Sequence, residues 1–283
     1  MLSQFDYVKP LVLDEALDVL SRDTDTYILA GGTDLLIMLR HELINARHIL
    51  DIKAIPELKV FSYVEGKGLE IGANVVVNKL IESEVVRDNY KALHDAASCL
   101  ASYQLRNRAT LVGNICNASP GADLPPALLI YNATVKIASK DGVRTVPLKE
   151  FFTGVKKTQL TKHELVVSVF LPEPGQDDDS CYLRQTRLKG HDLSTVGVAC
   201  RIDKNGKACI GINAVAITPL RLTALEDELN AKGITEESIL WAADEIKNHI
   251  RPISDVRSSK EYRLHMAGVL FKRCMMQLMD KEA

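Results

Sequence analysis

Residues 27–39 read YILAGGTDLLIML: an apolar run, a polar turn with two glycines, and a second apolar run. This order predicts a buried strand, a tight turn and a helix that begins near Leu35. The glycines, Gly31 and Gly32, allow positive φ and close approach of backbone to a ligand. Successive N–H groups in such a turn form an anion-binding concavity at the positive end of the helix. The segment therefore suits a diphosphate, although a turn that only caps the helix remains the competing interpretation, because the pattern is not G-x-G-x-x-G.

A second polar segment, Tyr103–Asp123, contains QLRNRATLVGNICNASPGAD from position 104. It shows little periodicity and is predicted to be an irregular loop, and long loops inside compact domains are often functional. Its small residues would let a flat ring lie against backbone, and its Asn and Thr side chains offer donors and acceptors to hydroxyls and phosphate oxygens. The alternative is a well-satisfied surface loop in which Arg106 and Arg108 are solvated charges.

The rest of the chain mixes helices and strands without strict alternation, which indicates an α+β class. Apolar spacing predicts helices at Leu13–Leu20 and Leu93–Leu100, and two more that begin near Ile239 and Tyr262. Strands are predicted at His48–Ile52, Lys59–Tyr63, Leu69–Gly72, Ala133–Ser139, Arg144–Val146, Glu164–Leu171, Cys181–Arg187, Thr195–Ile202 and Ala208–Ile217. The segment Pro172–Asp179 combines Pro, Gly and like charges, so it is the best linker candidate.

Composition excludes several classes of function. The net charge of −2 over 283 residues gives no broad attraction to nucleic acid or an anionic membrane. No apolar stretch approaches a membrane span, and the N-terminus lacks a signal-peptide pattern, so we expect a cytoplasmic protein. The six cysteines form no C-x-x-C pair and no metal-ligand spacing. Neither H-E-x-x-H nor G-x-S-x-G occurs. We therefore assign no metal site and no catalytic residue.

Taken together, the two polar segments resemble motifs of the FAD-binding subunits of the xanthine dehydrogenase family of molybdenum hydroxylases. Ala30–Leu35 is similar to that family's first pyrophosphate loop, and Gln104–Asn114 to its Q-x-R-N-x-A-T-x-G-G-N motif. Further similar stretches follow in the family's order: Asp51–Leu58, Leu193–Gly197, Thr218–Arg221 and Ser259–Arg263. The resemblance covers essentially the whole chain. Val112 departs from it, because the family usually has glycine there; its side chain would either shift the loop or point away.

The resemblance implies an FAD-binding domain of two α/β subdomains (the PCMH type) over residues 1–175. A smaller C-terminal domain with a three-stranded sheet and helices would cover residues 176–283. The diphosphate would be held by Ala30, Gly31, Gly32, Thr33, Asp34 and Leu35. The ribityl, ribose and diphosphate groups would be held by Thr110, Gly113, Asn114, Asn117 and Asp123. The residues expected to lie near the isoalloxazine are Leu100, Ala101, Leu165, Asp192 and Thr195, with His191 and Lys189 as weaker candidates for tuning it.

The resemblance also implies a role as an electron conduit. An iron–sulfur subunit would deliver electrons to FAD here, after a molybdenum-cofactor subunit had oxidised the substrate. NAD, a quinone or ferredoxin could be the final acceptor, and the sequence carries no nucleotide motif for NAD. The main alternative is a stand-alone FAD oxidoreductase of the vanillyl-alcohol-oxidase-like superfamily, which should bring its own catalytic acid or base; no such set is evident. A non-catalytic binding module is a third interpretation.

Overall fold

The computed structural model describes residues 4–22, 25–188 and 190–280. Lys189, a candidate for tuning the flavin, lies outside them. The strands are β1 (Asp6–Val8), β2 (Thr26–Leu29), β3 (His48–Asp51), β4 (Phe61–Val64), β5 (Gly68–Gly72), β6 (Thr134–Ser139), β7 (Gly142–Pro147), β8 (Phe152–Gly154), β9 (Lys157–Thr158), β10 (Leu165–Pro172), β11 (Asp179–Gln185), β12 (Val196–Ile202), β13 (Ala208–Asn213) and β14 (Leu220–Arg221).

The helices follow the same chain order, and a 3₁₀ turn at Pro56–Lys59 adds to them. They are α1 (Leu13–Arg22), α2 (Leu35–Arg40), α3 (Val77–Ile81), α4 (Glu84–Asn89), α5 (Lys91–Cys99), α6 (Tyr103–Arg106), α7 (Leu111–Cys116), α8 (Leu124–Ile130), α9 (Leu148–Phe151), α10 (Thr223–Lys232), α11 (Glu236–His249) and α12 (Lys260–Met279). The mixed helix and sheet content confirms the predicted α+β class.

Two sheets make up the N-terminal part of the chain. The first is parallel, with strand order β1-β3-β2, and the second is antiparallel, with order β4-β5-β10-β6-β7. Strands β8 and β9 form a separate two-stranded sheet. Strand β10 is central in its sheet, and its first five residues are all buried, which is the pattern of a strand covered on both faces. These two sheets correspond to the two predicted subdomains.

The C-terminal sheet has the order β11-β12-β13-β14 and is antiparallel. Helices α5 and α8 of the N-terminal part pack against it, and so do α10 and α12. Because helices cover both faces, every residue of β13 is buried. The three long strands match the predicted three-stranded sheet, and the two-residue β14 adds a fourth at the edge, which corrects the expected strand count.

The boundaries of several predicted strands also need correction. The strand predicted at Cys181–Arg187 lies two residues earlier, at Asp179–Gln185. The strand predicted at Ala208–Ile217 ends at Asn213, because Ala214 has φ +60° and its N–H donates to the Pro120 carbonyl at 2.7 Å instead of continuing the ladder. The strand predicted at Lys59–Tyr63 begins only at Phe61, because the 3₁₀ turn that starts with Pro56 still includes Lys59.

Candidate cofactor site

The first predicted loop lies between β2 and α2 and touches the second. A Cβ atom on Gly31 would stand 2.0 Å from the carbonyl oxygen of Arg108. Gly32 has φ +77°, and a Cβ there would stand 2.9 Å from Leu29 Cδ1. Both glycines are therefore required: one by the close approach of a second backbone, the other by a conformation that side chains resist. The side chain of Asp34, the N-cap residue of α2, makes no cap hydrogen bond. The binding of a diphosphate by this loop stays a prediction.

The second segment was predicted to be irregular, and this was wrong in part. It contains the short helices α6 and α7, which begin at side-chain caps: the Ser102 hydroxyl accepts from the Leu105 N–H, and the Thr110 hydroxyl accepts from the Gly113 N–H at 2.9 Å. Ser and Thr stabilise a helix start in this way. Helices of four and six residues are too short to show an apolar period, so periodicity could not reveal them.

The structure settles where the side chain of Val112 lies. It is 5% exposed and belongs to the N-terminal hydrophobic core, whereas Gly113 is exposed on the other side of α7. The valine therefore points away from the loop surface, and the glycine that would face a ligand is retained.

A hydrogen-bond chain ties the two loops together at their outer end. The Asn117 amide donates to Asp34 Oδ1 at 2.8 Å, and its own oxygen accepts from the Lys156 ammonium at 2.8 Å. Protein groups thus fix the Asn117 side chain between the two loops. Its predicted contact with FAD stays a prediction, and its observed role is to hold the loops at a set distance.

The residues predicted to line the ring are held by a side chain whose role the sequence left open. Arg106 donates to the carbonyl oxygens of Leu100 at 2.8 Å and Ala101 at 3.1 Å, and to Asn78 Oδ1 at 3.0 Å. Ala101 has φ +47°, a left-handed conformation that costs a non-glycine residue about 1 kcal/mol or more. Arg106 is therefore an anchor that holds this strained turn, and not only a solvated charge.

Asp123 lies in a buried ionic network. It is 6% exposed, its Oδ2 accepts from the Arg184 guanidinium at 2.9 Å, and its Oδ1 accepts from the Tyr182 hydroxyl at 2.7 Å and from the Ser194 hydroxyl. Burial raises the pKa of Asp123, while Arg184 and the two hydroxyls oppose that rise. Because Asp123 is the last residue of the second segment and its partners come from the C-terminal part, the carboxylate joins the two parts.

The Asp192 side chain binds backbone N–H groups of neighbouring residues. Its carboxylate accepts from the N–H groups of Arg187, Leu188 and Leu193 at 2.9–3.2 Å. Burial disfavours its charge, but these bonds and the Arg187 guanidinium lower the pKa of Asp192. Arg184 donates to the carbonyl oxygens of Gly190 and Asp192, so a residue of β11 also holds this backbone.

The other two residues predicted near the ring are almost fully buried. Leu165 and Thr195 are each 2% exposed, Leu165 lies in the N-terminal core, and the Thr195 carbonyl accepts from Arg263 at 2.6 Å. Their contact with the isoalloxazine remains a prediction.

The two loops border an open recess. It is lined by Ala30, Gly31, Lys53, Asn74, Val76, Asn107, Arg108 and Thr110. Sequence reasoning missed Lys53 and Asn74, which come from turns that follow β3 and β5. Lys53 lies at an unspecified position of the Asp51–Leu58 stretch, and Asn74 lies in none of the quoted stretches. Nearby, the buried side-chain oxygens of Asn74 and Asn114 have no hydrogen-bond partner among the described residues. Unpaired buried acceptors beside a glycine-lined backbone fit a ligand with hydroxyl and phosphate groups, as FAD is.

The described residues show neither a metal-ligand cluster nor a membrane-spanning helix. Over residues 4–22, 25–188 and 190–280, no group of three or more His, Cys, Asp or Glu side chains is arranged to hold a metal ion. Within the same ranges, no helix has the length and apolar character that a membrane crossing requires.

Family models match both parts of the chain. Residues 3–174 match the FAD binding domain in molybdopterin dehydrogenase, and residues 181–278 match the CO dehydrogenase flavoprotein C-terminal domain. The chain therefore belongs to the family of flavoprotein subunits of molybdopterin dehydrogenases, the xanthine dehydrogenase and CO dehydrogenase type, whose cofactor is FAD.

Individual relatives agree with this assignment over nearly their whole length. A xanthine dehydrogenase FAD-binding subunit of Escherichia coli is 34% identical over 272 residues, which cover 94% of this chain and 93% of that one. A carbon monoxide dehydrogenase medium chain of Hydrogenophaga pseudoflava is 34% identical, with 96% of each chain covered. A solved carbon monoxide dehydrogenase from that organism, which lacks the Mo-pyranopterin moiety of its molybdenum cofactor, superposes with a TM-score of 0.94 at 33% identity, over 99% of both chains.

Replacing Gly32 tests the first loop. We expect Gly32→Val to lower FAD occupancy severely, because a β-branched residue resists φ +77° and its side chain would displace the loop. Gly66→Val is the matched control: Gly66 also has φ +77°, but nothing lies within 4 Å of its Cβ position. The measurement is the flavin-to-protein absorbance ratio after gel filtration. Equal flavin loss in the two variants would show that backbone strain alone, and not the loop, is responsible.

Proposed function

We propose that this chain accepts electrons from an iron–sulfur subunit and passes them, through bound FAD, to a final acceptor of a molybdenum hydroxylase-type complex. The observation that carries the proposal is the match of both parts of the chain to flavoprotein domains of molybdopterin dehydrogenases. FAD supplies the electron-carrying chemistry when bound. The chain's own part is to hold and orient that cofactor and to present it to its partners.

The site we propose lies between the two loops. Gly31 and Gly32 would bring backbone N–H groups to the diphosphate, and Thr110 and Asn114 would offer a hydroxyl and an amide to the ribityl and phosphate oxygens. The unpaired, buried Oδ1 of Asn114 supports this placement, because such an oxygen normally has a donor. Arg106 would keep the Leu100–Ala101 turn against the ring by its bonds to the two carbonyl oxygens.

We propose that FAD is held without a covalent bond. Cys116 is the cysteine within the second loop, and burial raises its pKa to about 12. A thiol with so high a pKa is almost wholly protonated near neutrality and is a poor nucleophile. Acid precipitation of the purified protein should therefore release all the yellow colour into the supernatant. Colour that stayed in the pellet would contradict this proposal.

The division of labour can be tested by reconstitution. The isolated chain should bind FAD that a chemical reductant can reduce, yet it should oxidise no purine, aldehyde or N-heterocycle. Mixing it with the iron–sulfur and molybdenum-cofactor subunits of its complex should make flavin bleaching depend on substrate. Stopped-flow absorbance at the flavin band is the measurement. Turnover of an organic substrate by the isolated chain, with flavin bleaching in step, would favour the stand-alone oxidoreductase instead.

Three finer points belong to the same proposal. We take NAD as one candidate acceptor, to be compared with quinones and ferredoxin in the reconstituted complex.

We propose a cytoplasmic location, since all six cysteines are free thiols and disulfides are rare where the cytosol keeps thiols reduced. We place the boundary between the two domains at residues 175 and 176, within the connection from β10 to β11.

A further inference from the structure

The recess between the two loops carries two cationic side chains that are not among the predicted cofactor-binding residues. Lys53 and Arg108 both line it, next to Gly31. Among the described residues, the Arg108 side chain has no hydrogen bond or ion pair, and it is exposed. The Lys53 side chain is 34% exposed. The wall beside the first loop therefore offers cationic donors in addition to the backbone N–H groups of the loop.

A buried carboxylate holds Lys53 in place. Asp51 is 3% exposed, and its Oδ1 accepts from the Lys53 ammonium at 2.7 Å and from the Lys53 N–H at 3.0 Å. Its other oxygen accepts from the Tyr7 hydroxyl. Burial opposes the charge of Asp51, but the bonds from Lys53 and Tyr7 outweigh burial and lower its pKa. An ammonium has three protons, so Lys53 is oriented by Asp51 and still has donors for a ligand.

Asn74 adds an acceptor to the same wall. Its amide nitrogen donates to the Ile52 carbonyl at 2.7 Å, and this bond fixes which end of the amide faces the recess. The opposite atom, Oδ1, is buried and has no partner among the described residues. A buried acceptor of this kind normally receives a hydrogen bond from protein, water or ligand. The recess thus combines cationic donors for an anionic oxygen with one acceptor for a hydroxyl.

We propose that Lys53 and Asn74 form a subsite for the diphosphate end of FAD. The Lys53 ammonium donates to a diphosphate oxygen, and Asn74 Oδ1 accepts from an adjacent sugar hydroxyl. Arg108 adds positive charge at the mouth of the subsite. This inference rests on the proposed function, that the chain binds FAD between the two loops. It assigns part of the affinity for FAD to side chains outside both glycine-containing motifs.

The test is a titration of the apo-protein with FAD, followed by flavin fluorescence at low and high salt. Lys53→Met should raise the Kd at low salt by about tenfold or more, because it removes a charge-assisted hydrogen bond, and salt should affect this variant less than the wild type. Lys59→Met is the control, since it removes the same charge from an exposed residue of the 3₁₀ turn and should leave the Kd within about twofold.

Asn74→Ala separates binding from folding. The variant removes the acceptor Oδ1 and the bond from Asn74 to the Ile52 carbonyl, which still accepts from the Ile55 N–H at 3.1 Å. The unfolding temperature of the apo-protein should therefore change little, while the Kd for FAD rises about fivefold. The subsite is refuted if Lys53→Met and Asn74→Ala both bind FAD as the wild type does, or if Lys59→Met weakens binding as much as Lys53→Met. A wild-type apo-protein that bound no FAD would overturn the proposed function itself, and the subsite with it.

Discussion

Gly31→Ala should weaken the binding of FAD strongly. A Cβ atom at this position would lie 2.0 Å from the Arg108 carbonyl oxygen and 2.7 Å from its carbonyl carbon. Both neighbours are backbone atoms, so no side-chain rotation can relieve the contact, and the two loops must separate. Strain of this kind typically costs 1–3 kcal/mol in stability. Because FAD is expected to bridge the loops, we expect its Kd to rise at least about tenfold, which equals about 1.4 kcal/mol.

A control variant separates the loss of FAD affinity in Gly31→Ala from a general loss of folding stability. In Gly154→Ala the new methyl group would meet its nearest atom, Lys157 Cδ, at 3.8 Å, an ordinary contact. This control should keep wild-type FAD affinity and thermal stability. The measurement is isothermal titration of each apo-protein with FAD, beside its far-UV circular dichroism. A folded Gly31→Ala protein with the wild-type Kd would mean that FAD does not depend on the contact between the loops.

The sequence predicted most of the long elements because their burial produces a pattern. The ten-residue helix α10 was missed, since one of its three buried residues is the charged Glu226. Helix α1 buries Ala16, Leu17 and Leu20 on one face, and β10 is a continuous apolar run. Shorter elements give no such pattern. The three-residue edge strand β1, with residues exposed or half-buried, and the capped helices α6 and α7 were not predicted. Their formation depends on pairing and on caps, which local composition does not reveal.

The site could be predicted where backbone groups of one loop form it. It could be predicted less well where side chains from distant segments meet. The glycines of the first loop and the capping Thr110 stand out in the sequence. By contrast, Lys53 and Asn74 come together only because β3 and β5 end near the same recess. The resemblance placed Asp123 at the cofactor, and nothing in the sequence indicated that Tyr182, Arg184 and Ser194 would surround its carboxylate.

Asp123→Ala should therefore destabilise the protein even when no FAD is bound. Removing the carboxylate leaves the Arg184 guanidinium, 11% exposed, without its counter-ion, and breaking one side of a buried ion pair typically costs 3–5 kcal/mol. We expect the apo-protein to lose about that much unfolding free energy. Denaturant unfolding monitored by circular dichroism measures it, with tyrosine fluorescence as a second probe because two domains need not unfold in one step.

Asp88→Ala is the matched control for this loss. The Arg87–Asp88 pair has the same 2.9 Å separation as Arg184–Asp123, but both of its side chains are more than half exposed, so its removal should cost at most about 1 kcal/mol. The double variant Asp123→Ala, Arg184→Met should recover part of the stability, because it removes the uncompensated charge. If Asp123 served only to contact FAD, both Asp→Ala variants would leave the apo-protein equally stable, and the difference would emerge only after FAD was added. A loss already present in the apo-protein, and partly repaired by Arg184→Met, identifies Asp123 as the ionic tie between the second loop and the C-terminal sheet.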